Sequence, residues 1–365
     1  MWEPRDQIDV LLVKLGSTAG LRVDEDELGR SLRRAGAHVA AVRAQTPQEV
    51  RTLMLTDLRW AYAARRAAKD VRDRLKLHPP RSVIYSTTTA ALLWPLPGAI
   101  RFDAPAAANR PGRHGLWQRP LERLRLRQAP LLLPSSEGAL EEAVAAVGGA
   151  LSTERALVLP APIVAPAPGA DGAPVKPVLD VETNGHLPDP PERDIAAITY
   201  AANPHKKGFD RVLEAWRRVR RPSERLVVVG ITRERLRESG FEVSDEDIHV
   251  AGSLDARDYR ALLRRARVFV CAPRREDYGL AQLEALSEGC RLVTTPAPGP
   301  YVALPLAREL DPRLVSEDLG AALRDALDVP KAGYAARATE LLEPFTAAAV
   351  DRIVAEELLP RLLGE

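Results

Sequence analysis

Short apolar strands alternate with helical stretches along most of the chain, and no other feature narrows the fold as far. In the first half the strand candidates are Ile8–Val13, Val39–Val42, Ser82–Tyr85, Ala99–Phe102, Leu131–Leu133 and Ala156–Leu159. Helical patterns lie between them near 24–35, 48–77, 116–127 and 137–148. The second half is cleaner, with strands at Ile195–Tyr200, Leu226–Val229, Ile248–Ala251, Val268–Cys271 and Leu292–Thr294. Its helices fall near 208–219, 232–239, 255–266 and 279–288. Strands separated by helices need crossover connections, so the sheets are parallel and each half reads as a doubly wound, Rossmann-like α/β domain.

Proline divides the halves. Nine prolines fall between Pro160 and Pro191, each removing a backbone donor and clashing with a preceding helical turn, so 161–193 reads as an interdomain connection. The expected organisation is a first domain over 1–160, a second over 194–345 that faces it across a cleft, and C-terminal helices. The last of these, over 346–365, is free to pack back on the first domain; Val350, Ile353, Val354, Leu358 and Leu362 recur there at helical spacing, a stripe that reads as core packing. At 365 residues each domain can bury a full core, so no disulfide or structural metal is needed. The only cysteines are Cys271 and Cys290, as expected for a reducing, cytoplasmic setting.

A net charge of +2 excludes a general nucleic-acid binder, whose phosphate contacts demand a large basic excess. Only seven of the 52 basic residues are lysines, which makes the adjacent Lys206 and Lys207 conspicuous. Asp6 and Asp9 interrupt any signal-peptide pattern at the start. The charge-free run 82–100 is long enough for a membrane span, but its Ser and Thr hydroxyls with Pro95 and Pro97 read as strand, turn and short helix.

Ligands of open parallel sheets bind beyond the carboxyl ends of the strands, and two such loops in the second half carry unusual residues. One runs from Arg275 through Glu276, Asp277 and Tyr278 to Gly279, where a helix opens, and on through Leu280, Ala281 and Glu284 to Gly289, where it stops. Free amides at a glycine-opened helix favour an anion such as pyrophosphate. Glu284 lies far enough along to reach a ribose, and Glu276 can accept from sugar hydroxyls. The alternative is that Glu276 and Asp277 are helix-dipole partners and Glu284 a solvated surface residue. The other loop, Asn203-Pro204-His205-Lys206-Lys207-Gly208, sets a lysine beside a helix-opening glycine, either a phosphate-holding point charge or an exposed basic turn.

These residues carry a resemblance. Glu276 and Glu284, as E-x7-E within EDYGLAQLEALSEGC, look like the signature of retaining GT-B glycosyltransferases of family four, the glycosyl transferases group 1, and HKKGFDRVLEAW is similar to their Lys-Gly donor-phosphate loop. The likeness is close over about 195–295. It implies a transferase moving a sugar from a UDP-, GDP- or similar nucleotide sugar to a hydroxyl acceptor, without a metal or other cofactor. Lys206, Lys207 and the amides of Gly279, Leu280 and Ala281 would hold the diphosphate, Glu284 the ribose, Glu276 the sugar and the backbone near Leu254 the base. The first domain would take the acceptor, with Asp103 at a strand end and Gly16 and Gly20 in its first loop, and the catalytic residues would be Glu276, Lys207 and Asp103.

The chain also departs from that pattern. Ala201 stands where the family usually has an arginine six residues before the lysine, so one diphosphate cation is missing unless Lys206 or an arginine such as Arg274 or Arg275 substitutes. Phe102 replaces the histidine before Asp103, and Pro298-Gly299-Pro300 lacks the usual glutamate. These differences leave a second reading, a degenerate GT-B protein that binds a sugar nucleotide or a partner. A nicotinamide-dependent oxidoreductase is disfavoured, since Gly16 and Gly20 do not meet the G-x-G-x-x-G spacing. Two acidic triplets, Asp24-Glu25-Asp26 and Asp245-Glu246-Asp247, read as a helix's opening turn and as the wrong end of a strand for a metal. Residues 101–127 hold seven arginines against Asp103 and Glu122. That segment suits an anionic acceptor or a peripheral contact at the inner membrane face, or is a solvated helix face with Leu116, Leu121, Leu124 and Leu126 turned inward.

Overall fold

The computed structural model describes residues 7–45, 53–75, 78–110, 112–149, 151–163, 193–244 and 248–365. Most of the proline-rich connection and Asp245-Glu246-Asp247 lie outside the described residues. The chain divides into two compact units, Met1–Pro162 with Gly299–Val302 and Glu343–Glu365, and Ile163–Pro298 with Ala303–Leu342.

In the first unit β1 (Val10–Lys14), β2 (Val39–Arg43), β3 (Ser82–Tyr85), β4 (Ala99–Phe102) and β5 (Leu132–Pro134) form a wholly parallel sheet in the order β2-β1-β3-β4-β5. The connections carry α1 (Ala19–Arg34), α2 (Leu53–Arg74), α3 (Thr88–Ala91), α4 (Ala106–Asn109), α5 (Gln118–Gln128) and α6 (Glu137–Ala146). Helix α1 starts earlier than its apolar pattern predicts, because the Thr18 hydroxyl accepts from the Leu21 amide and caps it. The run 82–100 contains β3, α3 and β4, and among the described residues no helix is long and apolar enough to cross a membrane. The strand expected at Ala156–Leu159 is absent. Leu157 and Leu159 donate to the Leu132 and Pro134 carbonyls, but Pro134 has no N–H to donate back, so pairing stops at a bridge between Leu132 and Ala156.

In the second unit β6 (Ile195–Tyr200), β7 (Leu226–Val229), β8 (Ile248–Gly252), β9 (Ala266–Cys271) and β10 (Arg291–Thr294) are again all parallel, in the order β10-β9-β6-β7-β8. Its helices are α7 (Phe209–Val219), α8 (Arg233–Glu238), α9 (Ala256–Arg265), α10 (Leu280–Ser287), α11 (Ala303–Leu310), α12 (Leu319–Asp328) and α13 (Tyr334–Leu341). Both faces of such a sheet are covered, so the strands are apolar throughout instead of alternating; all four residues of β7 are buried. Helix α7 buries Phe209, Val212, Leu213 and Trp216 at helical spacing.

The last helices belong to the first unit. α14 (Ala347–Ile353), a single π turn Val354–Leu358 and α15 (Leu359–Leu363) set Val350, Val354 and Leu358 against Val10, Leu12 and Ile84 and against Leu28 and Leu32 of α1. The opposite sheet face, with Leu11, Val13, Tyr85 and Ile100, packs on Ala64 and Ala68 of α2 and Leu126 of α5. Arg34 of α1 donates to Asp351 of α14 at 2.7 Å, which fixes the returning helix at one register.

Candidate functional site

Where strand order reverses in a parallel sheet, the connections of two neighbouring strands leave on opposite faces and open a crevice at their carboxyl ends. In the second unit this point lies between β6 and β9, and their loops are 201–208 and 272–279. These are the two segments that the sequence marks out. They touch at Gly208, whose φ is 62° and where an added Cβ would lie 1.8 Å from the Ala272 carbonyl oxygen. Only glycine permits that approach. The Arg274 amide donates to the Lys206 carbonyl oxygen at 3.0 Å, a further tie.

The contact brings opposite charges together. Lys207 Nζ is 2.6 Å from Glu276 Oε2, and Lys206 Nζ is 2.9 Å from Asp277 Oδ2. Both carboxylates are buried, and a buried charge persists only when paired. Burial works against the Asp277 charge, yet Lys206, with Arg275 Nε at 2.8 Å, holds that carboxyl below its ordinary range. Gln282 of α10 donates from Nε2 to Glu276 Oε2 at 3.3 Å, while its own Oε1 is buried without a partner among the described residues.

Helix α10 opens at Gly279, whose φ of 95° suits glycine. Its first backbone bonds come from Gln282 and Leu283, both to the Gly279 carbonyl. Among the described residues the amides of Gly279, Leu280 and Ala281 have no backbone partner. Glu284 lies on the second turn, its carboxyl pushed up to about 7 by burial, with Glu288 adding to the rise and Arg260 opposing it. Burial first, and then the Glu284 charge, raise the phenols of Tyr200 and Tyr259, and the Tyr259 hydroxyl is buried without a partner among the described residues. Leu254 is half-buried in the turn after β8, one residue before Asp255 caps α9.

The first unit treats its own crevice differently. Strand order there reverses between β1 and β3, and Glu25 of α1 closes the point. One Glu25 oxygen accepts from the Leu15 amide at 2.7 Å, the Gly16 amide at 3.0 Å and the Ser86 hydroxyl at 2.6 Å. Burial raises its carboxyl all the same. Asp24-Glu25-Asp26 therefore lies in the body of α1 and not in its opening turn, because Thr18 starts the helix earlier. Asp24 pairs with Arg101 at 2.8 Å and Asp26 with Lys14 at 2.7 Å. Gly16 is in the loop after β1, but Gly20 is helical, one residue into α1, which corrects its assignment to that loop. Asp103 is exposed directly after β4, where Phe102 is buried. The basic segment is also corrected: Leu126 is buried, but Leu116 and Leu124 face outward.

Residues 193–327 match the family model of glycosyl transferases group 1. A comparison with curated proteins found no match. Among solved structures, WaaG, a glycosyltransferase involved in lipopolysaccharide biosynthesis, aligns with a TM-score of 0.68 at 17% identity over 98% of this chain and 100% of its own. Sucrose-phosphate synthase from Thermosynechococcus elongatus aligns at 0.62 with 16% identity over 95% and 96%. Anabaena HepE, solved in complex with UDP and glucose, aligns at 0.60 with 12% identity over 97% and 99%. The chain has the GT-B fold. On that fold, the family match supports a group 1 glycosyltransferase.

Within this GT-B chain, the structure pairs Lys207 with Glu276 and Lys206 with Asp277, and Gln282 of the first turn of α10 donates to Glu276; Glu284 lies on the next turn. Leu254 is on a neighbouring loop of the same unit, whereas Asp103, Gly16 and Gly20 belong to the other unit. Ala201 is buried at the end of β6. Of the cations expected to substitute for an arginine there, Arg274 is turned to Asp210 at 2.6 Å, and Arg275 and Lys206 share Asp277. Among the described residues no group of three or more His, Cys, Asp or Glu side chains stands together as metal ligands. Sequence reasoning missed Gln282 and Tyr259. A polar residue within the apolar run Gly279-Leu280-Ala281-Gln282-Leu283 was the available signal for the first; nothing local marks the second.

Proposed function

We propose that the chain is a glycosyltransferase that moves a sugar from a nucleotide diphosphate to a hydroxyl acceptor, with retention and with protein groups in place of a metal. The observation that carries the reading is the Lys207 ammonium paired with the Glu276 carboxylate, in the loop that leads into α10, whose first amides have no backbone partner among the described residues, at the point where strand order reverses. As the glycosidic bond breaks, negative charge grows on the departing diphosphate, and preorganised amides with a cation stabilise it without reorganising. Lys206, Lys207, Gly279, Leu280 and Ala281 hold the diphosphate, Glu284 accepts from the ribose hydroxyls and the Leu254 backbone meets the base. Glu276 accepts from the sugar, and Asp103 serves the acceptor side.

Lys207 is paired with Glu276 at 2.6 Å. Donor entry exchanges partners: sugar hydroxyls donate to Glu276, and phosphate oxygens accept from Lys207. Both charges are buried or half-buried, so each must gain as much as it gives up. Gln282 keeps Glu276 in place during the exchange through its 3.3 Å hydrogen bond.

Donor turnover tests the proposal. A thermal-shift screen of nucleotide sugars identifies the donor, since a ligand of the folded state raises the melting temperature. With that donor, Lys207→Ala lowers the rate of transfer or donor hydrolysis by about a hundredfold, the loss typical of one transition-state contact, while the far-UV spectrum is unchanged. A second reading, a binding module without turnover, is favoured by Ala201 and by the pairing that already engages Arg274 and Arg275. Tight nucleotide binding with no transfer or hydrolysis would establish that reading instead.

A further inference from the structure

We propose that Gln282 is a positioning residue for Glu276: its side-chain amide fixes the orientation in which that carboxylate meets the donor sugar. The inference deepens the function proposed above and rests on it, since it takes Glu276 as the group that accepts from the sugar. Gln282 lies on the first turn of α10, buried together with Leu283, Ala285 and Leu286. An amide buried among such neighbours needs hydrogen-bond partners. Its nitrogen has them. Nε2 donates to Glu276 Oε2 at 3.3 Å and to Cys271 Sγ at 3.7 Å. The Cys271 thiol donates in turn to Thr294 Oγ1 at 3.3 Å, and the Thr294 hydroxyl donates to the Thr295 carbonyl oxygen at 3.3 Å. Cys271 ends β9 and Thr294 ends β10, paired in register, so two neighbouring strands anchor the far side of the amide.

The neighbours give the amide its direction. Turned by half a revolution, Gln282 would set its carbonyl oxygen against the Glu276 carboxylate, acceptor against acceptor. As it stands, Oε1 is buried without a partner among the described residues. An unpaired buried acceptor weakens a fold, so packing does not account for a glutamine at this position, whereas the hydrogen bond to Glu276 does. Lys207, at 2.6 Å, meets the same carboxylate oxygen, Oε2. With both donors on one oxygen, the carboxylate cannot turn about its last bond without giving up both. When the donor phosphate draws Lys207 away, Gln282 is the contact that stays, because it is tied to the strands and not to the ligand. Glu276 is 5% exposed, and a carboxylate so buried keeps its charge and direction only through its hydrogen bonds.

Gln282→Met keeps the length of the side chain and removes the amide. In the full chain, with the nucleotide sugar that the thermal-shift screen selects, it is expected to lower kcat by about tenfold or more, the contribution of one hydrogen bond to a charged group. Affinity for the nucleoside diphosphate alone stays at the wild-type value, while the extra affinity that the sugar brings is reduced. A merely structural role moves both affinities together. Gln282→Glu supplies a second readout. While the introduced carboxyl is protonated, its O–H donates to Glu276 as the amide does; once it ionises, the two carboxylates repel. Its rate relative to wild type therefore falls as pH rises, and that of Gln282→Met does not. Far-UV spectra and melting curves show that both variants stay folded. Wild-type turnover with an equally active Gln282→Met, or a Gln282→Glu ratio that is flat with pH, overturns the inference and leaves the transferase reading standing. A wild type that binds nucleotide sugars without turnover removes the transferase reading alone, and an unchanged sugar-dependent affinity in Gln282→Met then overturns the inference. A wild type that binds no nucleotide sugar overturns both.

Discussion

Glu284 sits on the second turn of α10 with its carboxyl pushed up to about 7, chiefly by burial. Ribose hydroxyls donate to a carboxylate, so nucleotide binding selects the ionised form and releases a proton from whatever fraction is neutral. Affinity for UDP or GDP should therefore rise from about pH 6 to about pH 8 by up to about tenfold, the change in ionised fraction across a pKa near 7. Titration calorimetry in buffers of different ionisation enthalpy measures both the affinity and the proton released, and Glu284→Gln should abolish the slope. In the free chain the sign is opposite. A carboxyl raised above its unfolded value contributes stability below about pH 4 and loses it as pH rises through about 7. At this scale Lys207, Glu276 and Glu284 were legible as a motif. Their pairing was not, because Glu276 lies 2.6 Å from a lysine 69 positions earlier. Nor was Glu25, whose carboxylate occupies the Leu15 and Gly16 amides only once α1 has packed.

Among the elements, strands were read more closely than helix ends. β3, β4, β6 and β7 fall where their apolar runs place them, since a strand covered on both faces shows itself as a continuous run. α1 began early because one threonine side chain caps it, and Ala156–Leu159 failed as a strand because its neighbour ends in proline. The loop pair at the candidate site depends on Gly208. Gly208→Ala adds a Cβ 1.8 Å from a backbone oxygen at a φ of 62°, so the β6 and β9 loops must part. The substitution should cost more than about 2 kcal/mol, a backbone-strain value, in urea unfolding of the second unit. Nucleotide affinity should fall with it, as Lys207 and Glu276 separate.

For the whole molecule, the last helices matter most. Val350, Val354 and Leu358 are encoded after the second unit yet complete the core beside β1 and β3 of the first. A chain ending at Leu342 loses all three, and at about 2–5 kcal/mol for each large apolar side chain removed, the loss rivals the total stability of a domain. Hydrogen exchange should then accelerate in β1 and β3 while β6 and β9 stay protected; uniform protection would show that the helices do not support the first unit. The sequence by itself determined the alternation, hence two parallel-sheet units, and the residue types of the donor motif, because apolar periodicity and loop chemistry are local. Strand order was decided only by the tertiary structure. Packing between distant segments set β1 beside β3 and β6 beside β9, and thereby chose which loops meet, which charges pair and which helix returns to close the first core.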